Sequence, residues 1–195
     1  SATFPPPIIA LGRRFMRTPD FLSLSRDHVY VEDTQHMYCM VPRMDKDRAL
    51  VRIIETENPS QVIIFCNTKD RVYYVTRVLQ RYGYNADQLS SDLSQNVRDK
   101  VLQRVRDGQL RFLVATDVAA RGIDIPNLSH VIQYEPPDDL EAYIHRAGRT
   151  GRAGASGVAI LLVNVLDQRH VTRIGAHYKI EFEQYILPAE EDVEA

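Results

Sequence analysis

The chain has 195 residues, 44% hydrophobic and 26% charged, with two cysteines and no tryptophan. This is the profile of a folded domain with a full core, and it excludes intrinsic disorder, collagen-like repeats and small disulfide scaffolds. The formal net charge of −2 is unevenly spread: residues 1–180 hold all 24 basic side chains and 20 of the 26 acids, a body of net +4 followed by an acidic end.

Residues 1–27 read as a connector. Phe4-Pro5-Pro6-Pro7 cannot lie inside a helix, and Ile8 to Arg17 fits a short amphipathic helix that stops before Pro19. Residues 28–187 read as one domain. Gln35 to Val41 is extended and Lys46 to Thr56 helical, and Val62 to Cys66 is a continuous apolar run of the kind that forms a strand buried on both faces. A helix over 69–82 ended by Gly83, a strand over 86–90 and a helix over 94–107 ended by Gly108 follow. Strands over 111–116 and 130–135, a helix over 138–147, a strand over 158–163, a helix over 167–177 and a last strand near 180–186 complete the pattern. Alternating strands and helices predict an α/β fold of βαβ units around a mostly parallel sheet. Ligands of such sheets bind outside the carboxyl ends of the strands. Residues 188–195 are expected to be a solvated acidic tail. The longest apolar run, Val158 to Val163, is far below the roughly 20 residues that cross a bilayer, and neither a membrane span nor a secretory leader is expected. Cys39 and Cys66, inside apolar segments, are expected to be buried free thiols, which places the chain in the cytoplasm.

Three segments at strand ends carry chemistry. After the strand over 111–116, Thr116 supplies a hydroxyl, Arg121 a guanidinium, Gly122 a permissive backbone and Asp124 a carboxylate. Such groups hold a phosphate and accept from a ribose hydroxyl; an ordinary surface Arg–Asp pair is the plain alternative. From His145 to Gly154, Arg146, Arg149 and Arg152 are separated by glycines. Three guanidiniums in one compact turn repel one another and call for an anion, either phosphate or the nearby Asp138, Asp139 and Glu141. Phe65-Cys66-Asn67-Thr68-Lys69 offers donors before a helix, where a plain N-cap is the favoured reading. No G-x-x-x-x-G-K-[ST] loop occurs, and no paired carboxylates for magnesium follow an apolar strand. The chain thus has arginines fit to complete a phosphate site without the parts that build one.

These segments, in this order, resemble the C-terminal RecA-like domain of a DEAD-box ATP-dependent RNA helicase. Tyr143 to Arg152 resembles motif VI, Ala115 to Asp124 motif V, Val62 to Lys69 motif IV, and Gln95-x-x-Arg98 the Q-x-x-R element; Ser1-Ala2-Thr3 is similar to motif III, the end of the preceding domain. The resemblance implies a three-layer α/β/α sandwich that supplies half of an ATP and RNA site, inactive as an ATPase alone. Arg149 and Arg152 would be arginine fingers on the γ-phosphate, and Asp124 with Gly122 would meet the nucleotide. Asn67, Arg98 and Thr116 would contact RNA, while Arg121, His145 and Arg146 would couple to the N-terminal RecA-like domain, which would hold most of the Mg2+. The family's His-Gly-Asp is Ser90-Ser91-Asp92 here, the usual basic residue after Thr-Lys is Asp70, and Ala147 stands where Ile is common. A related superfamily 2 DNA helicase, or a non-enzymatic RNA-binding module, is the alternative.

Overall fold

A computed structural model describes residues 14–15, 34–121, 123, 128–151 and 156–188. Strand β1 (Thr34–Met40) leads through a 3-10 turn at Arg43–Asp45 into helix α1 (Lys46–Glu57). Then β2 (Val62–Phe65) pairs in sequence with α2 (Lys69–Arg81), and β3 (Ala86–Leu89) with α3 (Gln95–Arg106). The short α4 (Asp117–Ala120) follows β4 (Phe112–Ala115), α5 (Leu140–Ala147) follows β5 (His130–Gln133), and α6 (Gln168–Tyr178) lies between β6 (Gly157–Val163) and β7 (Glu183–Gln184).

The seven strands form one parallel sheet in the order β3-β4-β2-β5-β6-β1-β7. Strands β2, β4 and β5 are buried at every position, because helices cover both faces. On one face Leu50, Ile53 and Ile54 of α1 and Val72, Val75 and Leu79 of α2 pack on Val62, Ile64 and Val114. On the other, Val101 and Val105 of α3, Ala119 of α4, Tyr143 and Ile144 of α5 and Ile174 of α6 pack on Ile63, Leu113 and Val131. This is the three-layer sandwich expected.

Local chemistry sets the boundaries. Thr68, Ser94, Thr116 and Asp139 each accept a hydrogen bond from the backbone N–H three residues on, capping α2 to α5. Asp139 as a cap explains why α5 begins at Leu140 rather than at 138. Gly83 and Gly108 take φ +83° and +68° where α2 and α3 end. Two readings change. The segment after β4 opens as a capped helical turn, and the last strand shrinks to the exposed pair Glu183–Gln184 beside Met37 and Tyr38. The connector over 1–27, apart from residues 14–15, and the tail beyond Pro188 lie outside the described residues.

Both cysteines are free and buried. Burial pushes the Cys39 thiol up to about 11 and Cys66 higher still.

Candidate functional site

The carboxyl ends of β2, β4 and β5 lie side by side, and Arg146 ties them together. Its side chain is 1% exposed. The Nε and Nη2 groups donate to Asp117 Oδ1 and Oδ2 at 2.7 and 2.6 Å, a bidentate pair. Nη1 donates to the Glu135 carbonyl at 2.8 Å and Nη2 also to Asn67 Oδ1 at 2.8 Å. The guanidinium lies 5.4 Å from the Phe65 ring centroid. One side chain on α5 therefore fixes the loops that follow three different strands.

Asn67 is drawn into the same network. Its backbone N–H donates to Glu135 Oε2 at 2.9 Å and its Nδ2 to the Pro136 carbonyl at 2.9 Å, while Glu135 Oε1 pairs with Arg71 Nε at 3.3 Å. Thr68 is the plain helix cap expected, with Oγ1 accepting from Arg71 N–H. Thr116 is buried and caps α4 through the Ala119 N–H at 3.3 Å, and Arg98 Nη2 donates to the Ala119 carbonyl at 2.9 Å. Arg98 and Thr116, 18 positions apart in sequence, thus meet at one residue of α4. Arg149 is half-buried and donates from Nη1 to the Ile123 carbonyl at 2.8 Å. Its turn is pinned by Thr150, whose hydroxyl donates to the Leu128 carbonyl at 2.5 Å, and by Gly151 at φ +67°. His145 is half-buried, with Nε2 3.6 Å from Glu141 Oε1, and Arg121 is exposed. Gly122, Asp124 and Arg152 lie outside the described residues.

Two expectations are corrected. Arg146 does not await an anion: it takes Asp117, from another strand end, and Asp139 caps a helix instead of pairing with it. Arg146 is likewise not presented to a neighbouring domain, because its donors are engaged and its surface is buried within this one.

The sequence pattern gave no notice of Lys46, which is 6% exposed and donates from Nζ to the carbonyls of Tyr134 and Leu162 at 3.0 and 3.4 Å. Burial lowers the pKa of this ammonium, partly offset by Asp167 and Glu135. Nor did it mark Gln133, fully buried with neither amide atom hydrogen-bonded among the described residues, or the buried contact of His36 Nδ1 with the Tyr143 hydroxyl at 2.7 Å.

With this geometry in view, comparisons with known proteins agree. Residues 45–154 match the model of the family described as helicase conserved C-terminal domain. The chain is similar to "ATP-dependent RNA helicase DeaD" of Buchnera aphidicola subsp. Baizongia pistaciae, 42% identical over 188 residues, covering 96% of this chain and 31% of that protein. It is 38% identical over 193 residues to "ATP-dependent RNA helicase DbpA" of Bacillus subtilis, covering 99% of this chain and 40% of the relative. Among solved structures, Saccharomyces cerevisiae Dbp5 bound to RNA and ADP BeF3 superposes with a TM-score of 0.85 at 30% identity, over 100% of this chain and 52% of that one. The chain thus spans less than half the length of these two curated relatives.

Proposed function

The chain belongs to the helicase conserved C-terminal domain family, and from that premise we propose that it is the C-terminal RecA-like half of a cytoplasmic ATP-dependent RNA helicase. The observation that carries this reading is the edge organised by Arg146, where the loops bearing Asn67 and Asp117 are fixed beside each other and Arg98 joins Thr116 at Ala119. The groups chosen for RNA contact therefore share the sheet edge at which α/β proteins bind ligands.

In the intact protein, RNA and ATP bind between this domain and an N-terminal RecA-like domain. Arg149 and Arg152 stabilise the charge that develops on the γ-phosphate, a contribution worth about 10³ to 10⁵ in rate. Asp124 and Gly122 meet the nucleotide, and Arg121 and His145 face the other domain. Asn67, Arg98 and Thr116 hold the RNA backbone from loops made rigid by the Arg146 network. Closure leaves no room for a straight duplex at this edge, which separates strands locally; hydrolysis lets the domains part. Magnesium would accompany the nucleotide, held mainly by the N-terminal domain.

The test is RNA-stimulated ATP hydrolysis. The 195-residue chain alone is expected to turn over no ATP, and Arg149→Ala in the two-domain protein to lower turnover about 10²-fold or more while nucleotide-free RNA affinity stays. Turnover by the chain alone, or an unchanged rate in the variant, would overturn the assignment.

A further inference from the structure

Helix α5 bears Arg146 and leads straight into Arg149, yet it has only 8 residues. The turn that follows hangs on it. The Gly148 N–H donates to the Ile144 carbonyl at 2.8 Å, the Arg149 N–H to the Arg146 carbonyl at 3.1 Å and the Thr150 N–H to the Ala147 carbonyl at 3.1 Å. The backbone of Arg149 therefore follows any movement of α5.

Two polar side chains on the buried face of this helix reach opposite ways. Arg146 goes to Asp117, at the carboxyl end of β4. Tyr143, three positions earlier and 0% exposed, shares a hydrogen bond of 2.7 Å with Nδ1 of His36 on β1, itself 5% exposed. Burial pushes the pKa of the tyrosine well above its ordinary value of 10.0, so the hydroxyl keeps its proton. Phe182 closes the cluster, its ring centroid 5.4 Å from that of Tyr143 and 5.9 Å from that of His36. Three strands separate β4 from β1, which sets the two anchors about 19 Å apart at about 4.8 Å per strand. Apolar packing is non-directional and leaves a short helix free to roll on the sheet. Two hydrogen-bonded anchors on either side of its axis do not. A roll of about 10° would carry a group at the helix surface, about 5–6 Å from the axis, through about 1 Å. A misplacement of that size is enough to cost an enzyme up to about 10²-fold in rate.

We propose that His36, acting through the Tyr143 hydroxyl, is a positioning residue for Arg149: the pair fixes the roll of α5 and with it the approach of the guanidinium to the γ-phosphate. This rests on the reading of Arg149 given above and adds to it the residues that aim it.

The experiment measures RNA-stimulated ATP hydrolysis and thermal unfolding of the two-domain protein. Tyr143→Phe keeps the ring and removes the hydroxyl; it is expected to lower kcat about ten-fold with KM for ATP and for RNA within about two-fold. In an Arg149→Ala background the same change should have no further effect. His36→Phe with Tyr143→Phe removes both polar partners from the buried site, which largely restores stability, so Tm should return toward wild type while kcat stays low. The double variant also carries the comparison should a single one fail to fold. A kcat within two-fold of wild type in Tyr143→Phe, a loss that persists beside Arg149→Ala, or a kcat that returns together with Tm in the double variant would each overturn the positioning role and leave the Arg149 reading standing. If Arg149→Ala is itself silent, that reading fails and this inference goes with it.

Discussion

Replacing Arg146 by Ala removes the group that holds three loops, and its cost follows from the contacts. Breaking a buried ion pair by deleting one partner costs about 3–5 kcal/mol, chiefly because the other charge is stranded. Asp117 is 39% exposed, so water recovers part of that charge and the lower end applies. Asn67 Oδ1 and the Glu135 carbonyl each lose a donor, at about 0.5–1.5 kcal/mol apiece. The total is about 4 kcal/mol, a large share of the roughly 5–15 kcal/mol that stabilises a domain. At this chain length 1 kcal/mol moves Tm by about 2–4 °C, so Tm should fall by about 10 °C. Urea unfolding with an unchanged m-value measures the same loss at equilibrium. Arg146→Lys keeps the charge but not the planar fork, and should recover less than half of it. In a double-mutant cycle with Asp117→Asn, coupling should exceed about 1.5 kcal/mol. A loss below about 1 kcal/mol for Arg146→Ala, or additive single variants, would refute the view that this guanidinium organises the edge.

Other consequences are independent of that pair. Gln133→Leu removes a fully buried amide with no hydrogen bond among the described residues and should raise stability by about 1 kcal/mol or more in urea unfolding; a decrease would mean the amide has a partner in solution. Gly157→Ala would bring Cβ to 2.3 Å from Gly151 N and Thr150 Oγ1. It should cost about 1–3 kcal/mol by overpacking, and in the two-domain protein lower ATP turnover by displacing the Arg149 turn; a neutral variant would show that the turn yields. Burial lowers the His130 pKa below its ordinary value of 6.5, against a smaller opposing effect of Glu57. The unfolded chain therefore takes up the proton first, and this contribution to stability, complete above about pH 6.5, declines as pH falls below it. His130→Gln should flatten that part of the stability–pH curve, and an unchanged slope would remove the assignment.

The core was legible because burial on both faces leaves a plain mark: Val62 to Phe65 and Phe112 to Ala115 are continuous apolar runs, and each is buried throughout. Helix caps were legible where a Thr precedes a charged run, as at Thr68. The turn Asp117–Ala120 was not, because four residues are too few to show a helical period. The partner of Arg146 was missed for a different reason. Acids close in sequence were the natural candidates, yet the parallel sheet sets β4 and β5 on either side of β2 and so carries Asp117, 29 positions away, to the same edge. Lys46 has no sequence signal, since a lysine at a helix start normally faces water; only the stacking of α1 against the ends of β5 and β6 encloses it.

This arrangement changes what the net charge means. A body of net +4 rich in arginine suggests broad electrostatic attraction for RNA, but Arg71 and Arg146 at this edge already pair with carboxylates of the same domain. The cations left to meet phosphate in the isolated chain are few, with Arg98, which holds a neutral carbonyl, and the exposed Arg43 and Arg121 the clearest among the described residues. Each phosphate neutralised on a single strand adds about −0.7 to the slope of log K against log salt. About three contacts therefore predict a slope near −2 for the isolated chain, measured by titrating a labelled oligouridylate of about twelve nucleotides across the salt range. A slope near −3.5 would require the Arg71–Glu135 and Arg146–Asp117 pairs to open and turn toward the strand. The rigid edge described here would then be only the unbound form of the RNA surface.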